Sequence, residues 1–381
     1  MSGPLRLPQA DGSLVEYTPG EPAAWTRPSH PIDSRIAYAA AHVAVSLFGD
    51  NTPGAPAVID WDATLAFRRH LWSFGLGVAE AMDTAQRGMG LDWPAARELI
   101  TRSCAEARAV GGRIAAGAGT DQVPDVAGLD GVIAAYEQQL EIVHAAGARP
   151  VLMASRQLAA VARGPDDYVK VYARLLEQAS EPVILHWLGP MFDPALTGYW
   201  GSADLDAATD TLLAIIADHS STVDGVKVSL LDASREAHLR SRMPAGVRVY
   251  TGDDFNYPEL INGGSDALLG VFAAIAPAAS AALQALDVAD RATYDRVLDA
   301  TVPLARHLFA APTYYYKTGI AFLAWLAGHQ PGFVMVGGLQ SARSAVHLAE
   351  AYRLADRLGL LPDPELAADR VRAYLVTAGV R

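Results

Sequence analysis

Lys227 stands inside a nearly continuous apolar run, Gly225-Val226-Lys227-Val228-Ser229-Leu230-Leu231. The chain has only three lysines, Lys170, Lys227 and Lys317, so nearly all of its 30 basic residues are arginines. High-GC coding accounts for the bias, but not for a lysine kept in an apolar segment. If the run is a β-strand, its side chains alternate, and Lys227 shares a face with Ser229 opposite Val226, Val228 and Leu230. An unpaired ammonium turned toward a protein interior is costly. Burial lowers the lysine pKa, and the neutral amine is a nucleophile able to condense with a carbonyl as a Schiff base. The same position also suits a lysine salt-bridged in the core, or one on an edge run facing water.

Other residues with chemistry to offer lie in or just after similar runs. His186 sits in Pro182 to Leu188 and is either a general acid/base or a hydrogen-bonded core histidine. The run ending Tyr250-Thr251-Gly252-Asp253-Asp254 carries two carboxylates that can pair with an amine, hold a metal or cap a helix, the cap being the favoured role for Asp254. His42, Glu80 and His186 are metal-ligand types, with Asp83 close after Glu80, but their spacing is no metal signature. Gly117 and Gly119, in Gly-Ala-Gly-Thr-Asp, permit close approach of a ligand without forming a dinucleotide fingerprint. Tyr314-Tyr315-Tyr316-Lys317 precedes an apolar helix and reads as packing with a snorkelling lysine.

Eight short apolar runs must position these residues: 35–46, 75–82, 113–118, 149–154, 182–188, 225–231, 247–251 and 267–274. Strands buried on both faces have this character. The stretches between them, such as 92–109, 131–146 and 166–180, carry apolar residues at helical spacing. Eight alternations predict a (β/α)8 TIM barrel, with its site at the C-terminal ends of the strands. The barrel is expected over 31–280, after an extended N-terminal arm at 1–30. A C-terminal helical extension is expected over 281–381, with helices at 292–308, 316–327, 341–358 and 364–377.

With 51% hydrophobic residues, the chain has enough apolar content for a core and is not a disordered one. Its net charge of −12 argues against nucleic-acid and membrane-surface roles. A single cysteine, Cys104, fits a reducing compartment, and the N-terminus lacks an apolar signal core, so a cytoplasmic location is expected. No apolar run reads as a membrane span.

In order and spacing, Gly225-Val226-Lys227, then Val249 to Asp254, then Gly263-Gly264-Ser265-Asp266-Ala267-Leu268-Leu269-Gly270 resemble the dihydrodipicolinate synthase / N-acetylneuraminate lyase family. Ile114 to Gly119 resembles its third strand, Pro182 to Leu185 the start of its fifth, and Tyr316 to Gly328 a helix of its C-terminal segment. The resemblance runs from about residue 35 to about 345, is thinner outside runs three to eight, and looks like a divergent branch. It implies a Schiff-base lysine at Lys227, no metal or organic cofactor, and a homo-oligomer (dimer or tetramer), which the apolar helical tail also suggests. His186 stands where the family has a proton-relaying tyrosine. Gly75 to Glu80 replaces a hydroxyl-bearing turn, and Ala154-Ser155-Arg156 replaces a paired-tyrosine element.

The expected activity is that of a class I aldolase-like lyase or dehydratase acting on a polar keto acid or an oxidised (keto) sugar. Lys227 attacks the carbonyl, and His186 and Glu80 move protons. Arg156, Ser229, Asp253, Asp254, Gly117, Gly119 and His42 contribute to binding, with Asp253 helping to set the charge on the amine. Two alternatives stand beside it: a divalent-metal sugar isomerase or epimerase using His42, Glu80 and His186, and a barrel that binds a small ligand without turning it over.

Overall fold

The computed structural model describes residues 4–380. The chain divides into two compact units, one formed by Arg35–Ala41 and Leu76–Gly270, the other by Met1–Ser34, His42–Gly75 and Val271–Arg381.

The first unit holds a closed barrel of eight strands. With a short hairpin counted as β1 (Leu5–Pro8) and β2 (Leu14–Tyr17), the barrel strands are β3 (Ala37–Ala40), β4 (Gly77–Glu80), β5 (Ile114–Ala118) and β6 (Arg149–Leu152), followed by β7 (Val183–Leu188), β8 (Val223–Ser229), β9 (Arg248–Thr251) and β10 (Asp266–Leu269). All neighbours are parallel, and β10 closes against β3. Each predicted run contains or overlaps one of these strands. The fold is a (β/α)8 barrel followed by a C-terminal helical region.

Alternation assigns the inward face. Tyr38, Ala40, Ala79, Ala115, Val151, Ile184, Tyr250 and Leu268 pack in one cluster inside the barrel. Gly77 admits the Tyr38 ring, since a Cβ there would lie 2.6 Å from it. The N-terminal end is closed by polar groups that satisfy one another. Tyr250 donates to Asp224 at 2.5 Å, and Asp224 also meets Arg149 at 2.9 Å and Arg248 at 3.4 Å, while Arg248 reaches Asp266 at 3.1 Å. Several helices of this unit begin on side-chain caps, as where Asp92 accepts from Ala95 N ahead of Trp93–Val110 and Asp232 from Arg235 N ahead of Ala233–Ser241.

The second unit differs from the expected boundaries. The helix Trp61–Ser73 groups with the C-terminal helices, and residue 281 falls inside the helix Phe272–Asp287. That helix packs on Arg291–Asp299 and Tyr316–Leu326, so its partners, which periodicity does not disclose, set its allegiance. The N-terminal arm is partly folded: β1 and β2 pair antiparallel, and Tyr17 donates to Asp356 at 2.6 Å. The single helix expected over 292–308 is two, Arg291–Asp299 and Val302–Leu308. Pro303 sits in the first turn of the second, where its missing N–H is no loss. No helix among the described residues is long and apolar enough to cross a membrane.

Candidate active site

Lys227 lies on the inward face of β8 and is 7% exposed. Its strand neighbours in register are His186 on β7 and Tyr250 on β9. Gly252 makes room for it, and Gly225 makes room for the neighbouring strand and the Tyr250 ring. A Cβ at Gly252 would overlap Ser229 Oγ and come within 2.9 Å of Lys227 Cε and of Val228 O. A Cβ at Gly225 would meet Arg248 O at 2.6 Å and the Tyr250 ring at 2.9 Å. Among the described residues the Lys227 amine has no hydrogen bond or ion pair. Burial pushes its pKa down from the usual lysine range, and the carboxylates of Asp83 and Asp254 pull part of the way back.

His186 is fully buried, and neither ring nitrogen has a hydrogen-bond partner. Burial, and then the Lys227 charge, hold it well below the ordinary histidine value, so it is neutral at neutral pH. Ser229 Oγ is also buried and without a partner. Buried polar groups in folded proteins are almost always satisfied. Here unpartnered atoms of His186 and Ser229 flank an unpaired amine on adjacent strands.

His186 also lines a cavity of about 180 Å³ over the C-terminal ends of β4 to β7. Its rim is a polar network of a different character. Arg87 donates through Nε to Asp121 at 2.9 Å, through a terminal nitrogen to Gln139 at 2.9 Å, and to the carbonyls of Ala81 and Gly117 at 3.3 and 3.2 Å. Gln139 Oε1 also accepts from Gly119 N at 2.6 Å. Thr120 and Ser155 hydroxyls meet at 2.6 Å, and Ser155 N donates to Tyr199 OH at 3.0 Å. This network fixes the strand ends rather than offering open valences.

The expected site residues divide accordingly. Lys227, His186 and Ser229 are together. Gly117 and Gly119 lie at the cavity end of β5. A Cβ on Gly117 would come within 2.5 Å of Met153 Sδ, and Gly119 lines the cavity. Arg156 is at the mouth, ion-paired with Asp193 at 2.5 Å. Glu80 is not with them. Ala79 points inward, so Glu80 points outward, where its carboxylate accepts from Ala81 N at 2.9 Å. There it adds to the burial that lifts Cys104, on the helix Trp93–Val110, to about 12.

The two aspartates exchange the roles expected of them. Asp253 closes the turn, accepting from Phe255 N, Asn256 N and Asn256 Nδ2 at 2.8, 3.0 and 2.9 Å, while Asp254 acts on Lys227. His42 belongs to the helical unit, with Nε2 2.8 Å from Gln330 Oε1 and its ring edge-on to Phe67. Burial lowers its pKa to about 3, with Arg68 adding to the effect. A metal set of His42, Glu80 and His186 is therefore not assembled, because Glu80 and His186 face opposite sides of the barrel wall. Among the described residues no three His, Cys, Asp or Glu side chains gather as a metal-binding group.

Sequence reasoning noted Asp83 only as an acidic neighbour of Glu80, and did not single out Arg87. Ala81 and Gln86 take positive φ on either side of a short 3-10 turn, Asp83–Ala85, and this irregular path aims Asp83 at the cavity. Its place just past a barrel strand was the available signal.

A family model described as a protein of unknown function (DUF993) matches residues 5–380. The chain belongs to the DUF993 family. No curated protein matches it by sequence. Solved structures place this DUF993 chain in the fold of dihydrodipicolinate synthases. The enzyme from Aquifex aeolicus aligns with a TM-score of 0.66 at 11% identity, covering 86% of this chain and 99% of that one. A monomeric dihydrodipicolinate synthase variant aligns at 0.66 and 14% identity, covering 88% and 100%. The enzyme from Oceanobacillus iheyensis aligns at 0.62 and 16%, covering 88% and 96%. At these identities the likeness is one of fold.

Proposed function

We propose that this DUF993 protein is a Schiff-base-forming lyase or dehydratase with Lys227 as its nucleophile. The observation that carries the reading is the juxtaposition of a buried, unpaired amine with a neutral imidazole whose two nitrogens have no partner. The lowered pKa raises the share of neutral amine, which attacks the carbonyl carbon of the substrate. A bond forms between Nζ and that carbon, and the carbonyl oxygen leaves as water, taking one proton from the amine and one from solvent, while the second amine proton stays on the protonated imine. The imine takes up the electron pair of a bond to the neighbouring carbon. In cleavage the C–C bond to a hydroxyl-bearing carbon breaks as that hydroxyl gives up its proton. In dehydration the C–H proton is lost, and the resulting enamine expels the hydroxyl from the next carbon as water once it is protonated. Neutral His186 accepts the proton this requires. An imidazolium beside the iminium is disfavoured, so His186 readily gives the proton back to product or leaving group.

The rim favours a hydroxylated carbonyl compound over a multiply charged acid. Three carboxylates, Asp83, Asp121 and Asp193, line the cavity with two guanidiniums, and each guanidinium is already paired. A keto sugar or its mono-acid meets these groups as hydrogen-bond partners; a di-acid meets like charge.

The test is cyanoborohydride reduction in the presence of a panel of keto sugars and keto acids, followed by peptide mass spectrometry. The expected adduct lies on the peptide containing Lys227 and is absent in Lys227→Ala. Turnover by Lys227→Ala at the parent rate rejects the mechanism.

A further inference from the structure

The helical unit contains its own cavity, of about 340 Å³, at the lower end of the range of small-molecule sites. All of its lining residues come from that unit. Much of the wall is apolar, including Phe74, Pro277 and Leu323, together with the ring of Trp25, whose Nε1 is committed to Gly359 O at 3.0 Å.

Three nitrogen-bearing side chains also face this space: Arg27, His70 and His329. No carboxylate lines it. The His70 and His329 rings lie 4.2 Å apart, centroid to centroid, and neither imidazole has a hydrogen-bond partner among the described residues. Arg27 donates Nε to Ser73 Oγ at 3.2 Å and stands 5.7 Å from the Phe74 ring centroid, leaving its terminal nitrogens open. Burial holds His70 at about 3, with His329 and Arg27 adding to the effect, and burial holds His329 at about 4. An exposed guanidinium and two half-buried imidazoles without hydrogen-bond partners thus face an apolar chamber whose lining holds no carboxylate.

We propose that this cavity is a second small-molecule site that takes a monocarboxylate with an apolar body. The carboxylate would accept from Arg27 and from an imidazole N–H, and the body would lie against Trp25, Phe74 and Leu323.

Calorimetric titration with 3-phenylpropionate and with its neutral amide tests this. The acid is expected to bind at least about tenfold more tightly than the amide, and Arg27→Gln to reduce it to the amide's level. Ala327→Leu, which fills part of the chamber from a half-buried position, is expected to weaken both probes at unchanged thermal stability. The titration is repeated on Lys227→Ala, so the outcome is independent of the chemistry proposed for the barrel. Equal affinity for acid and amide, an acid affinity unmoved by Arg27→Gln and Ala327→Leu, or no binding heat at about 10 mM probe overturns the proposal.

Discussion

Gly252→Ala is the sharpest single perturbation of the proposed chemistry. The added methyl would overlap Ser229 Oγ and come within 2.9 Å of Lys227 Cε and of Val228 O. Val228 O cannot give way easily, because it accepts from Gly252 N at 2.8 Å in the β8–β9 ladder. The hydroxyl must rotate and the lysine stem must tilt, and overpacking of this kind costs about 1–3 kcal/mol. A stem displaced by about 1 Å is expected to slow a positioned reaction by about two orders of magnitude. Urea unfolding and the initial rate of reductive trapping at Lys227 read the two effects separately. Ser229→Ala removes the worst overlap, so Gly252→Ala/Ser229→Ala should recover much of the lost stability and show coupling between the sites. If Gly252→Ala loses stability while trapping proceeds at the parent rate, the amine is not held in a reactive position and the argument for Lys227 fails.

Three further outcomes are expected. The trapping rate should rise with pH through a midpoint below the ordinary lysine range, and Asp254→Asn should shift that midpoint lower still, because the Asp254 charge favours the ammonium; cyanoborohydride rate–pH profiles of the two proteins check this. Asp253→Ala should cost about 1 kcal/mol in urea unfolding, from the lost turn hydrogen bonds, and leave the trapping midpoint unmoved. His42 stays neutral in the folded chain down to about 3 while the unfolded chain takes up a proton near 6.5, so stability should fall with pH through that window. Its share is about 2 kcal/mol between pH 7.5 and pH 5, and His42→Gln should remove that part of the slope.

The barrel was legible because parallel strands covered on both faces leave continuous apolar runs, and each of the eight carried that mark. The hairpin Leu5–Pro8 with Leu14–Tyr17 was not, since four-residue strands with polar neighbours have too little periodicity to register. Within the site, alternation placed Lys227 and Ser229 together because β8 is regular from Gly225 to Ser229. Glu80 was misread because the inward face of β4 is marked only by the small residues Gly77 and Ala79, which yield to Tyr38, whereas a polar residue draws attention wherever it points. Which of two adjacent aspartates caps a turn depends on dihedral angles that composition does not encode. Asp253 and Asp254 therefore exchange roles without any change in the motif.

The distribution of satisfied and unsatisfied polar groups separates holding from reacting. At the N-terminal end of the barrel, Tyr250, Asp224, Arg149, Arg248 and Asp266 close on one another. On the rim, Arg87 has a partner for every nitrogen, and its ties reach β4, β5 and the helix Leu129–Ala146. Between these layers lie His186 and Ser229, with three buried atoms that have no partner, beside an unpaired amine. Each such group costs about 1–3 kcal/mol relative to a satisfied one, a burden the folded chain carries while the site is empty. The burden is relieved when something enters with both an electrophilic carbon for the amine and hydroxyl groups for the imidazole and serine. A hydroxylated carbonyl compound has both, and this complementarity, more than the fold, supports placing the proposed reaction at the centre of the barrel.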